Sequence, residues 1–89
     1  MVLQMYSILD KKSCVYGRPF YAHNDGHAMR SVLDELSHNE SKSVMGSYPS
    51  DFVLCKLGSY DDSSGVITPI DVTVVVEIVE LVMKDSDHG

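Results

Sequence analysis

Residues 71–84, Asp71-Val72-Thr73-Val74-Val75-Val76-Glu77-Ile78-Val79-Glu80-Leu81-Val82-Met83-Lys84, carry two conflicting signals, and the architecture of the chain turns on which one wins. Val72, Val74, Val75, Val76, Ile78 and Val79 are β-branched, stiff at χ1, and individually better suited to strands. Against that, Thr73, Glu77, Glu80 and Lys84 are spaced by four, three and four, so a helix would gather its polar groups on one side. Asp71 could cap such a helix. The periodicity favours a helix over this stretch.

Working outward, residues 52–60 alternate so that Val53, Cys55 and Leu57 share one side, as in a strand with a buried face. Asp61-Asp62-Ser63-Ser64-Gly65 then turns the chain into residues 66–68, giving a hairpin. Upstream, residues 39–51 are rich in Ser, Asn, Gly and Pro and read as a connecting loop. Before it, Asn24-Asp25-Gly26 offers a helix cap, and Ala28, Met29, Val32, Leu33 and Leu36 recur at helical spacing, with Arg30, Asp34 and Glu35 on the other face. Residues 2–9 form an apolar-rich strand closed by the polar break Asp10-Lys11-Lys12-Ser13, with residues 14–21 as its partner. Pro19 cannot donate to a ladder and places that partner at an edge or a strand end. The expected fold is α+β, order ββαββα: a four-stranded, mainly antiparallel sheet of two hairpins with two helices on one face. Residues 1–89 form one domain, with 85–89 expected to be a disordered tail.

A hydrophobic fraction of 44% and a charged fraction of 22% are ordinary for a globular chain and point to neither disorder nor a membrane class. The longest apolar stretch is broken by Thr73, Glu77 and Glu80, and the first nine residues lack a basic leader and a cleavage site. Neither a membrane anchor nor a secretory signal is expected. Cys14 and Cys55 have neither the density nor the spacing of a disulfide scaffold and are expected to be reduced thiols.

The formal charge of −6 opposes a general positive field, but it is unevenly spread. Residues 1–30 hold Lys11, Lys12, Arg18 and Arg30 against Asp10 and Asp25, a local +2, whereas residues 31–89 hold three lysines against eleven acids, −8. Tyr6, Tyr16, Phe20 and Tyr21 share the cationic segment. Single-stranded DNA is held by cations along its phosphates and by aromatic faces on which unpaired bases stack. Lys11, Lys12, Tyr16, Arg18, Phe20, Tyr21 and Arg30 are therefore the candidate nucleic-acid contacts. The alternative is that Phe20 and some tyrosines serve the core or a dimer interface while the lysines solubilise a turn.

Catalysis has little support: there is no Gly-rich phosphate loop, no nucleophile elbow and no paired cysteine and histidine. Asp61 and Asp62 sit among turn residues and read as a solvated tip. His23 and His27, four apart around Asp25, make an incomplete zinc set, and His38 and His88 have no motif spacing to them. No metal, cofactor or catalytic residue is expected.

Residues 18–31, Arg18-Pro19-Phe20-Tyr21-Ala22-His23-Asn24-Asp25-Gly26-His27-Ala28-Met29-Arg30-Ser31, resemble a segment of the small nonstructural protein of gokushoviruses, bacterial viruses of the microvirus group. Residues 51–65, with Gly58-Ser59-Tyr60-Asp61-Asp62, are similar to that family's second segment, and Met5-Tyr6-Ser7-Ile8 adds to the likeness. The connector at 40–47 and the stretch from Asp71 onward depart from it. The resemblance implies an accessory protein of a single-stranded DNA phage, acting in the host cytoplasm in genome replication or packaging and absent from the mature capsid. It supplies no catalytic residues.

Two functions follow as expectations. In the first, the hairpin at residues 11–21 binds single-stranded viral DNA. In the second, the acidic remainder engages a basic viral initiator or host replication protein without touching DNA. In either case a homodimer is expected, because a short chain with an exposed edge strand gains burial by self-association.

Overall fold

The computed structural model describes residues 1–39 and 44–87. Part of the expected connector, 40–43, and the end of the expected tail, 88–89, lie outside the described residues. The elements are β1 (Val2–Asp10), β2 (Val15–Tyr16), β3 (Phe20–Ala22), α1 (Asp25–Asn39), α2 (Val44–Ser47), a 3-10 turn (Pro49–Asp51), β4 (Phe52–Asp61), β5 (Val66–Glu77) and α3 (Ile78–Asp87). The fold is α+β with an antiparallel sheet, as expected, but the sheet has five strands, with β2-β1-β4-β5 as its path and β3 also on β1.

The fifth strand arises because the predicted partner at 14–21 is interrupted. β2 pairs Tyr16 with Leu9, β3 pairs Phe20 with Tyr6, and Gly17-Arg18-Pro19 leaves the ladder between them. Pro19 has no N–H to contribute. The Gly17 N–H still reaches the Ile8 carbonyl at 2.8 Å, and the buried Ser7 hydroxyl donates to the Gly17 carbonyl at 2.7 Å. These bonds hold the break against β1, so β2 and β3 share one edge of it.

The larger correction concerns residues 71–77, which continue β5 rather than starting a helix capped by Asp71. Val53 pairs with Glu77, Leu54 with Val76, Cys55 with Val74 and Lys56 with Thr73. A ladder satisfies every second backbone group of this stretch and gives its β-branched side chains a pleated surface to pack on, which outweighs the four-three-four spacing of the polar residues. The spacing holds only beyond Ile78, where α3 buries Ile78 and Leu81 and carries Glu80 and Lys84, better helix formers than valine. Helix α3 runs to Asp87, into the expected disordered tail, and the expected loop contains α2 and the 3-10 turn. The observed order is therefore βββααββα, with a 3-10 turn between α2 and β4, and not ββαββα.

Helix α1 begins as the sequence indicates: Asn24 Oδ1 accepts the His27 N–H at 2.9 Å, satisfying a first-turn donor. Its buried stripe of Ala28, Val32 and Leu36 joins Ile78 and Leu81 of α3 over Tyr6, Phe52 and Leu54 of the sheet. Tyr6 is fully buried, and its hydroxyl donates to Asp25 Oδ1 at 2.7 Å in the first turn of α1. Burial first, and then this bond and the nearby negative charge, push the Tyr6 phenol well above the ordinary tyrosine range. Among the described residues, no helix is long and apolar enough to cross a membrane.

Two predictions test this architecture. Because the Tyr6 pKa is raised in the fold, its contribution is complete below the unfolded tyrosine pKa of about 10 and is lost as pH rises beyond it. Denaturant unfolding should show stability falling above pH ~10, and Tyr6→Phe should flatten that fall. At Gly58 the β4–β5 register shifts, and a Cβ there would overlap the Thr68 carbonyl. Gly58→Ala should therefore lower unfolding free energy by about 2 kcal/mol or more in urea melts.

Candidate nucleic-acid interface

Alternation along β1 sends Tyr6 and Ile8 toward the helices and Leu3, Met5 and Leu9 to the opposite face. Residues paired across an antiparallel ladder share a face, so the register assigns the aromatic side chains. Phe20, opposite Tyr6, turns inward: its ring stacks on Tyr6 with centroids 5.8 Å apart, and it packs against the core. Tyr21 lies opposite Met5 and Tyr16 opposite Leu9, so both stand on the face away from the helices, each nearly half exposed. Tyr60, opposite Leu3, stands on the same face, and its ring lies 5.5 Å from that of Tyr21. Three tyrosines thus line about 20 Å of this helix-free face, which is open to solvent at Tyr16 and Tyr21 and buried at Ser7, Val53 and Cys55.

Tyr60 was not among the candidates read from the sequence. Its signal lay in the Gly58-Ser59-Tyr60-Asp61-Asp62 segment, but its approach to Tyr21 depends on both strands pairing with β1. Gly58 itself leaves a Cβ-free position between Met5 and Pro69 in the same sheet.

The cations are less well gathered. Lys11 and Lys12 occupy the turn after β1, next to the row that holds Tyr16. The Asp10 carboxylate accepts the Lys12 N–H at 2.9 Å and shapes that turn. Lys11 Nζ lies 2.8 Å from Glu77 Oε1, an exposed ion pair that ties the end of β1 to the end of β5 across β4. Arg18 sits in the break between β2 and β3, at a cavity of about 400 Å³ on the helix side lined by Phe20, Ser31, Glu35 and Met45. Arg30 is exposed on α1. The structure therefore sets Tyr16 and Tyr21 on one face, with Tyr16 beside Lys11 and Lys12, and it separates Phe20, Arg18 and Arg30 from them.

The acidic tip and the histidine pair make local contacts. Asp61 Oδ1 accepts the Ser63 N–H at 2.9 Å and the Gly65 N–H bonds the Asp61 carbonyl at 2.7 Å, so the acidic tip is a closed turn. The backbone bond from Ser63, chiefly, holds the Asp61 carboxyl below its ordinary range. The His23 and His27 rings meet edge to face at 5.6 Å. No group of three or more metal-ligating side chains occurs among the described residues.

A profile of the phage ORF5 protein family matches residues 3–81. The chain belongs to the phage ORF5 protein family. Protein ORF5 of Chlamydia phage 1, a gokushovirus, is 33% identical over 75 residues, covering 82% of this chain and 78% of that protein. No solved structure matches. The gokushovirus resemblance read from residues 18–31 and 51–65 is thus upheld, and it extends past Asp71 through β5 into α3.

Both cysteines of this ORF5 family protein are free, Cys14 exposed in the turn and Cys55 buried in β4. Burial, and secondarily the Glu77 carboxylate, raise the Cys55 thiol above its ordinary range. A thiol-exchange reagent at neutral pH should label Cys14 within seconds and Cys55 only on unfolding, read as a two-step absorbance trace.

Proposed function

We propose that this phage ORF5 family protein binds single-stranded viral DNA on the open face of its sheet, in the host cytoplasm, during genome replication and packaging. It acts by binding rather than by catalysis. The observation that carries this reading is the row of Tyr16, Tyr21 and Tyr60 on the face away from the helices, with Tyr16 beside the Lys11-Lys12 turn. An unpaired base has free π-faces, and stacking on an aromatic ring contributes about 1–3 kcal/mol per base. Duplex bases already stack on one another, so such a face discriminates in favour of single strands.

The electrostatic part is small. Among the described lysines and arginines, Lys11 and Lys12 alone border the platform, at its Tyr16 end, and Lys11 is paired with Glu77 in a chain of net charge −6. With about two phosphates neutralised, the slope of log affinity against log salt should be near −1.4, far shallower than for a basic single-strand binder. Phe20 contributes to the core and not to the base-contacting set, while Arg18 and Arg30 meet only a strand that wraps over the β2–β3 edge.

Fluorescence anisotropy with labelled oligonucleotides tests the proposal. Tyr21→Ala and Tyr60→Ala should each weaken single-strand binding by roughly tenfold, and Glu77→Gln, which frees Lys11, should tighten it at low salt. Single-strand affinity that is unchanged in the folded double tyrosine variant would remove the open face from the mechanism. If the protein instead ignores DNA and captures a basic replication protein, the regulator reading replaces it, with the exposed carboxylates of the acidic remainder as the contact.

A further inference from the structure

We infer that the outer edge of β5 is the docking surface for a second copy of this chain, paired antiparallel about a twofold axis. Strand β5 is the last in the sheet path, and among the described residues it pairs with β4 alone. It is twelve residues long, about 40 Å, and Val66, Ile67, Ile70, Val72 and Val74 on it are 45–60% exposed. Natural edge strands are usually short or guarded by lysines, prolines or bulges. Here Pro69 and the neighbouring register shift guard the middle of the strand, while residues 72–76 carry no charge and no proline. The register shifts against β4 leave Ile70, Asp71, Val72 and Val75 without a register partner there.

Three features select a second copy over another occupant. Two chains of net charge −6 repel, and β5 is the long surface where that repulsion is weakest and apolar gain greatest. Its five exposed apolar side chains flank the edge on both faces, Val66 and Ile67 on opposite ones, and a strand laid alongside covers part of each. Together with the paired backbone of both copies this is on the order of 1,000 Å², the lower bound of a specific interface. Finally, the opposite sheet edge is broken at Gly17-Arg18-Pro19 into strands of two and three residues. A head-to-tail chain of β5 on β2 and β3 therefore cannot propagate, and β5 on β5 closes as an isologous dimer.

Antiparallel pairing within one continuous sheet leaves the open faces of both copies on the same side. The dimer thus joins two tyrosine platforms, a consequence that rests on the proposed DNA binding, whereas the dimer itself does not. Light scattering across a concentration series should give a mass of twice 9.9 kDa at high concentration. Adding salt should strengthen the dimer by screening like charges, the reverse of its effect on DNA binding. Val72→Lys with Val74→Lys, at exposed positions, should raise the dimer dissociation constant at least 100-fold while circular dichroism stays native. In the unmodified protein, hydrogen exchange of the 70–76 amides should slow as concentration rises. A wild-type monomer at several hundred micromolar, a dimer indifferent to the double lysine variant, or exchange independent of concentration would each overturn the assignment. Tyrosine variants that lose DNA but still dimerise would sink the binding reading alone.

Discussion

A phenol without solvent exposure holds this molecule together. Tyr6 sits on the central strand β1, stacks on Phe20 of β3 and donates its hydroxyl to Asp25 at the start of α1. One side chain therefore joins the short edge strand, the sheet and the first helix. A buried hydroxyl must find an acceptor or pay its desolvation, so the first turn of α1 is held over the sheet in one position. With α1 so placed, its stripe of Ala28, Val32 and Leu36 meets Ile78 and Leu81 of α3, and the core closes.

Both long helices pack on one face, and the other is buried only at its centre, around Ser7, Val53 and Cys55. On that side the Ser7 hydroxyl donates to the Gly17 carbonyl, and the Lys11–Glu77 pair joins the flanking strands across β4. What remains open is the tyrosine row. The sheet edges are equally unlike: one is broken by Gly17-Arg18-Pro19, the other is the long apolar β5. Face and edge thus differ in kind, one carrying part-exposed aromatic rings and the other a long apolar strand.

Local signals were readable where one short-range interaction dominates. The Asn24 cap, the α1 stripe and the Asp61–Gly65 turn each depend on residues within a few positions of one another, and each was legible. In β4 the expected alternation fails: Phe52 to Cys55 are all buried, and the core takes Phe52 and Leu54 where Val53, Cys55 and Leu57 were expected. Pro19 correctly marked an edge, although the sequence did not show that Gly17 and Ser7 would hold a break there. The candidate site was half legible. Tyr16 falls beside Lys11 and Lys12 and shares a face with Tyr21, but Phe20 belongs to the core, Arg18 and Arg30 lie apart, and Tyr60 arrives from 39 positions beyond Tyr21.

By itself the sequence determined the class of fold, the capped first helix, the turns and the concentration of positive charge in the first third of the chain. It could not determine the state of residues 71–77, because β-branching and helical spacing there are nearly balanced within the segment, and only the ladder offered by β4 breaks the tie. Nor could it say which aromatic rings face solvent. That is decided by register, where a slip of one residue moves a side chain to the opposite face, and the register of β2, β3 and β4 is set by their common pairing with β1.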